Sequence, residues 1–203
     1  MKTIDTVIFD LGIVLLFYDW QIAANRLCTR VGKSRGEIDH YFMTTPFAVQ
    51  LERGETSKQQ FFDTVSRDVG FDGSYEEFAL IWSDVFSPNE PMIALAQKLQ
   101  GRVRRYVLSN TNAIHIDFIS RRFPFIHDFD GRVYSYEVRA MKPDRHIYEV
   151  LLKQFNVDPA SAVFIDDIPA NVDGARAVGL HGIHYQSPEQ ARRELADLGV
   201  TVL

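Results

Sequence analysis

Thr6-Val7-Ile8-Phe9-Asp10-Leu11-Gly12 is the stretch on which the fold turns. Its short apolar run is too brief for a helix. As a strand it is apolar on both faces, the mark of a parallel strand buried in a sheet that is covered on two sides. It halts at Asp10-Leu11-Gly12, residues suited to a turn. Similar runs recur at Tyr106-Val107-Leu108, at Ala162-Val163-Phe164-Ile165 and, less clearly, at Gly182-Ile183-His184-Tyr185. Helical patterns over Pro91–Gln100, Asp144–Phe155 and Ala170–Val178 lie between them. This alternation predicts βαβ units and an α/β fold with a doubly wound parallel sheet.

From about Trp20 to Phe86 the alternation stops. Ser34-x-x-Glu37, Thr56-x-x-Gln59 and Ser74-x-x-Glu77 each have the form of a capping box, a helix start in which side chain and backbone satisfy each other's groups. Phe61-Phe62-x-x-Val65 and Phe78-x-x-Ile81-Trp82 then keep the i, i+3, i+4 spacing of one apolar helix face. A helical insert of residues 18–86 is therefore expected after the first strand, with residues 1–17 and 87–203 forming the α/β core. No Gly/Ser linker separates the parts, so the insert is expected to pack directly on the core.

Composition narrows the function classes. Of 203 residues, 46% are hydrophobic and 24% charged, close to globular averages. Twenty-two Lys and Arg against 27 Asp and Glu leave a net charge of −5, which argues against general nucleic-acid binding. The lone Cys28 allows no internal disulfide and no cysteine-based metal cluster. No apolar run nears the roughly 20 residues of a membrane span, and Met1–Asp5 lacks the form of a signal peptide. The expectation is a soluble cytoplasmic protein, with no membrane or nucleic acid among its partners, acting as a monomer or homodimer.

Ligands of open α/β sheets bind at the carboxyl ends of the strands, so the residues after each strand sample the site. These are Asp10-Leu11-Gly12, Ser109-Asn110-Thr111-Asn112 and Asp166-Asp167, and Lys142-Pro143 lies just before the helix expected to begin near Asp144. Three carboxylates, a hydroxyl beside amides and one lysine suit a divalent cation and a phosphate. Magnesium takes hard oxygen ligands, and a carboxylate that attacks phosphorus splits one difficult transfer into two steps. Each piece alone has a plainer reading. Asp10 is a turn residue, Asp166-Asp167 a helix cap, Lys142 a surface lysine, and Ser109–Thr111 a capped turn. His181 and His184, three apart on a strand, point to opposite faces and make no metal pair.

Phe-Asp-Leu-Gly at 9–12, Leu-Ser-Asn-Thr at 108–111, Lys-Pro at 142–143 and Phe-Ile-Asp-Asp at 164–167 resemble, in order, the four motifs of the haloacid dehalogenase superfamily. The helical insert resembles its small cap domain. Leu51-Glu52-Arg53-Gly54-Glu55 and Leu108–Asn112 are most similar to the alpha-D-glucose-1-phosphatase branch. The resemblance implies a Rossmann-like core and a magnesium-dependent phosphatase acting on a small phosphorylated metabolite, in particular a sugar phosphate. It implies Asp10 as nucleophile and metal ligand, and the Gly12 carbonyl as a second ligand. Asp167 is implied as the direct metal ligand of the fourth motif, Asp166 as its acidic support, and Asn171 stands where a last Asp is usual. Ser109, Asn110 and Lys142 are implied to hold the phosphoryl group, with Lys142 also neutralising Asp10.

One departure stands out. Most phosphatases of this kind carry a second Asp, a general acid and base, two residues after the nucleophile, where this chain has Gly12. Such help is worth ~10²–10⁴-fold in rate. A phosphate-binding relative impaired in turnover and a haloacid dehalogenase therefore remain alternatives, the second disfavoured by the paired acids at 166–167.

Overall fold

The computed structural model describes residues 2–201; Met1 and residues 202–203 of the expected core lie outside the described residues. Strand β1 (Thr6–Phe9) leads through a tight loop to β2 (Leu16–Tyr18). Helices α1 (Trp20–Val31), α2 (Arg35–Thr44), α3 (Phe47–Glu52), α4 (Lys58–Val69) and α5 (Tyr75–Ser83) follow. Strand β3 (Phe86–Pro88) returns the chain to α6 (Glu90–Lys98), β4 (Arg104–Ser109), α7 (Ala113–Arg122), β5 (Gly131–Tyr134) and α8 (Ser135–Val138). The remainder is α9 (Arg145–Gln154), β6 (Ala162–Asp166), α10 (Pro169–Ala177), β7 (His181–His184) and α11 (Pro188–Asp197).

Five strands form one sheet in the order β5-β4-β1-β6-β7, and every neighbouring pair is parallel. The chain moves outward from β1 to β4 and β5, then crosses back to β6 on the other side. The switch in direction therefore lies at β1, where a crevice opens at the strand ends. All four residues of β1 are fully buried. Val7 and Phe9 enter one apolar cluster with Val107, Val163 and Ile165, whereas Ile8 enters the opposite one with Tyr106, Leu108 and Phe164. That alternation is the period-two signature of a sheet covered on both faces. The expected α/β class and doubly wound sheet are what the chain adopts.

The helices between β2 and β3 have a third apolar cluster, in which Leu27, Ile38, Phe61, Phe78 and Trp82 meet. Ser34 and Glu37 form the expected capping box. The box expected at Thr56 is formed one residue later by Ser57 and Gln60, because the sequence places two hydroxyl residues and two glutamines side by side and only the second pair has the right phase. Ser74 caps α5 through the Glu77 N–H, but the Glu77 carboxylate bonds Arg30 instead of closing the box. The insert packs directly on the core: Lys58 pairs with Asp117 at 2.5 Å, and the Ser83 hydroxyl bonds the Ile114 carbonyl. No helix among the described residues is long and apolar enough to cross a membrane.

Candidate active site

The carboxyl ends of β1, β4 and β6 open into a cavity of about 380 Å³. Asp10, Gly12, Ser109, Asn110, Lys142, Asp167 and Asn171 line its floor, so the four loops expected from the sequence do converge. Asp166 lies just beneath, wholly buried, and one carboxylate oxygen each of Asp10, Asp166 and Asp167 falls within 4.8 Å of the others.

Lys142 organises this floor. Its buried ammonium donates to Asp10 Oδ1 at 2.7 Å, to Asp166 Oδ2 at 2.6 Å and to the Leu108 carbonyl at 3.1 Å. All three of its N–H bonds are thereby used. Burial works against the ammonium, but the charges of Asp10 and Asp166 hold its pKa above the ordinary lysine value. Two carboxylates share this one cation, and the surplus negative charge tells on Asp10. Burial pushes the Asp10 carboxyl up to about 7 against the pull of Lys142.

The oxygens differ in what they have left to offer. Asp10 Oδ1 accepts both Lys142 and the Leu11 N–H, while Oδ2 accepts no hydrogen bond from the described residues. Asp166 is saturated: Oδ1 takes the Ile168 N–H, Oδ2 takes Lys142, and Asn171 Nδ2 lies 3.1 Å from both. Where a further Asp would add a like charge, Asn171 supplies a donor. Asp167 is half-buried, and burial followed by the charge of Asp166 raises its carboxyl. The donors left for a cation are thus Asp10 and Asp167, with Asp166 behind them.

Asn110 uses its side chain on the loop that carries the lysine, donating to the Lys142 carbonyl at 2.9 Å and accepting the Lys142 N–H at 2.8 Å. The Gly12 carbonyl already accepts the Val14 N–H at 2.6 Å, closing a three-residue turn about Ile13. Ile13, not Gly12, takes the left-handed backbone, with φ of 60°. A β-branched residue is strained there. At Gly12 an added Cβ would meet nothing within 4 Å. Neither a positive φ nor close approach therefore requires glycine at position 12.

Several site residues had no signal in the sequence. Buried Asn89 clamps the loop after β1, its amide lying within 3.1 Å of the Ile13 and Val14 carbonyls. The Ser135 hydroxyl accepts the Thr111 N–H at 3.0 Å and donates to the Glu52 carbonyl at 2.6 Å, joining the phosphate-loop candidate to the insert. His115, on α7, has both ring nitrogens engaged, Nδ1 with the Asn112 amide and Nε2 with the Trp82 carbonyl. Burial pushes it down to about 4, so it is a neutral structural group. The roof is apolar, made mainly of Trp20, Phe42, Trp82 and Phe86, and Glu52 is its one acidic group. His181 and His184 make separate bonds, to the carbonyls of Ala160 and Asp167, and form no metal pair.

Comparison with known proteins agrees with this geometry. The model of the haloacid dehalogenase-like hydrolases matches residues 4–179. A sesquiterpene phosphatase of Aspergillus oryzae is 29% identical over 205 residues, 97% of each chain. A D-ribitol-5-phosphate phosphatase of Bacteroides thetaiotaomicron is 26% identical, over 95% of this chain and 97% of its own. A crystal structure of a haloacid dehalogenase family enzyme from the same bacterium, wild type in complex with magnesium and inorganic phosphate, matches with a TM-score of 0.82 at 25% identity. That match covers 90% of this chain and 94% of the other.

Proposed function

We propose that this chain, which belongs to the haloacid dehalogenase-like hydrolases, is a magnesium-dependent phosphatase that hydrolyses a small phosphomonoester through an aspartyl-phosphate on Asp10. The hydrolase class follows from the family, and the phosphatase class is that of its full-length relatives. The observation that carries the mechanism is the asymmetry of Asp10. Oδ1 is held by Lys142 and the Leu11 N–H, and Oδ2 has no partner among the described residues.

Asp10 Oδ2 attacks phosphorus as the bond from phosphorus to the ester oxygen breaks. Water then attacks the same phosphorus and releases the aspartate. The Lys142 ammonium keeps two neighbouring carboxylates from repelling each other and lowers the charge that the incoming phosphate meets. The Ser109 hydroxyl and the Asn110 main-chain N–H hold the phosphoryl oxygens. With its side chain spent on Lys142, Asn110 contributes through its backbone.

The donor set fits magnesium, since hard carboxylate oxygens converge and no sulfur or imidazole is among them. Asp10, Asp167 and the Gly12 carbonyl would hold the ion, with Asp166 supporting. Magnesium bound there supplies positive charge that draws Asp10 toward its ionised, nucleophilic form. Residues 18–86 act as a cap over a core of residues 1–17 and 87–203, which works in the cytoplasm.

Two substrate classes have support. The motif resemblance and the ribitol-5-phosphate relative favour a sugar phosphate. The aromatic roof favours an ester whose alcohol half is hydrocarbon, because a sugar's hydroxyls would find few partners there. The test is phosphate release from sugar, alkyl and prenyl phosphates with and without magnesium, in wild type and Asp10→Asn. Magnesium-dependent release by wild type, absent in Asp10→Asn, is expected. Wild-type-like release by Asp10→Asn, with deamidation excluded by mass, would refute the mechanism.

A further inference from the structure

The phosphatase reading leaves one role unfilled. The leaving oxygen needs a proton in the first step, and the attacking water must lose one in the second. Gly12 can do neither. Six described residues that line the cavity are titratable: Asp10, Tyr18, Glu52, His115, Lys142 and Asp167. Three of these, Asp10, Lys142 and Asp167, form the charged floor. His115 is neutral, with both nitrogens bonded inside the protein. Tyr18 is pushed by burial up to about 12 and keeps its proton at neutral pH. Glu52 alone remains.

Three observations single it out. Glu52 lines the cavity from the end of α3, and its carboxyl makes no hydrogen bond or ion pair with the described residues, unlike those of Asp10 and Asp166. Its main chain is fixed to the core, because the Ser135 hydroxyl grips the Glu52 carbonyl and the Thr111 N–H together, one residue beyond Asn110. The turn that follows is pressed onto the same place. At Gly54, whose φ is 65°, a Cβ would stand 2.1 Å from the Tyr136 carbonyl oxygen, so only glycine allows that approach. Glu52 is thus registered against the phosphate loop although it belongs to the insert.

We propose that Glu52 is the general acid and base of this phosphatase, doing from the insert what a carboxylate at position 12 would do from the core. The assignment rests on the reading of Asp10 as nucleophile. In the first step Asp10 Oδ2 bonds to phosphorus, the ester P–O bond breaks, and the Glu52 carboxyl gives its proton to the leaving oxygen. The products are the free alcohol and a Glu52 carboxylate. In the second step water attacks phosphorus and gives a proton to Glu52, and the P–O bond to Asp10 breaks. Phosphate leaves, with Asp10 a carboxylate and Glu52 protonated as at the start. Burial alone pushes the Glu52 carboxyl up to about 7, the range in which one group serves as acid and then base near neutral pH.

The test is Glu52→Gln, measured beside wild type with p-nitrophenyl phosphate, whose leaving group needs no proton, and with an alkyl phosphate, whose leaving group does. Glutamine matches the shape and removes a desolvated acid, so the variant is expected to melt no lower than wild type and to bind magnesium and inorganic phosphate as wild type does. Its kcat/KM should fall ~10²–10⁴-fold on the alkyl phosphate and only slightly on the nitrophenyl ester. Nitrophenolate should appear in a burst, because the phosphorylated Asp10 then waits for water without a base. Equal losses on the two esters, or none on either, would overturn the assignment. A failure of the phosphatase reading shows in the wild type itself, whereas a failure of the Glu52 assignment shows only in the ratio of variant to wild type.

Discussion

Lowering the pH from 7 to 5 should withdraw about 2 kcal/mol of folding stability through His115 alone. The imidazole is pushed down from its ordinary 6.5 to about 4, chiefly by burial, so the fold favours the neutral ring. Nδ1 accepts from the Asn112 amide, which also caps α7 through the His115 N–H at 3.0 Å, and a proton on Nδ1 would set two donors against each other. The sign follows from proton counting. As pH falls below 6.5 the unfolded chain takes up a proton that the folded chain refuses until about 4, and stability is lost through that window. At pH 5 the two titration curves differ by about 2 kcal/mol, and at pH 7 by only a few tenths. Urea unfolding of wild type and His115→Gln at pH 7, 6 and 5 reads this directly. With an m value of roughly 3 kcal/mol per molar, the wild-type midpoint should fall by about 0.7 M more than that of the variant. Midpoints that run parallel across the three pH values would refute the assignment of a neutral, buried His115.

Further outcomes are expected at the floor and its supports. Asp167→Ala removes one of two carboxylates not consumed by protein donors. Calorimetry should show magnesium affinity falling by at least ~10-fold, with phosphate affinity at saturating magnesium much less changed; an unaltered magnesium affinity would move the ligand to Asp166. Ser135→Ala strands a buried N–H of Thr111 and the Glu52 carbonyl together, at a cost of about 2–4 kcal/mol in chemical denaturation; a loss below about 0.5 kcal/mol would mean that the insert is not held there. Gly12→Asp meets open space and an ordinary backbone, so it should fold with stability within about 1 kcal/mol of wild type. Introduced into Glu52→Gln, it should restore part of the rate on alkyl phosphates, as read by steady-state kinetics.

The core was legible because its information is local. Val7–Phe9, Tyr106–Leu108 and Ala162–Ile165 are apolar on both faces, which only a doubly covered sheet explains, and the loops that end them carry the charges. Asp10, Ser109 and Asp167 could be placed from order alone because each sits at or just past the end of a strand, and Lys142 because it lies in the turn just before α9. Strands β2 and β3 have three residues each, one of them Pro88, and neither length nor pattern marks them. Helix α3 is six residues long, too short to show a period. Glu52 and Ser135 meet across 83 positions, and His115 reaches Trp82 across 33; such contacts leave no trace in a local pattern. The turn expected at Asp10-Leu11-Gly12 extends one residue further, and the loop spends its strain on Ile13, where the Gly12 carbonyl and Val14 N–H close on each other.

The pairing of β2 with β3 has a mechanical consequence. The chain leaves the core and re-enters it along two antiparallel strands in register, Leu16 opposite Pro88 and Tyr18 opposite Phe86. Every covalent connection between the five-helix insert and the sheet thus passes through one ribbon three residues long. Such a tether resists shear and stretch but yields to rotation, so the insert's natural excursion is a swing about that ribbon. Asp10, anchored at the end of the central strand, would stay still during the swing. The Ser135–Glu52 bond, the Lys58–Asp117 pair and the Ser83–Ile114 bond are the contacts on which that swing closes.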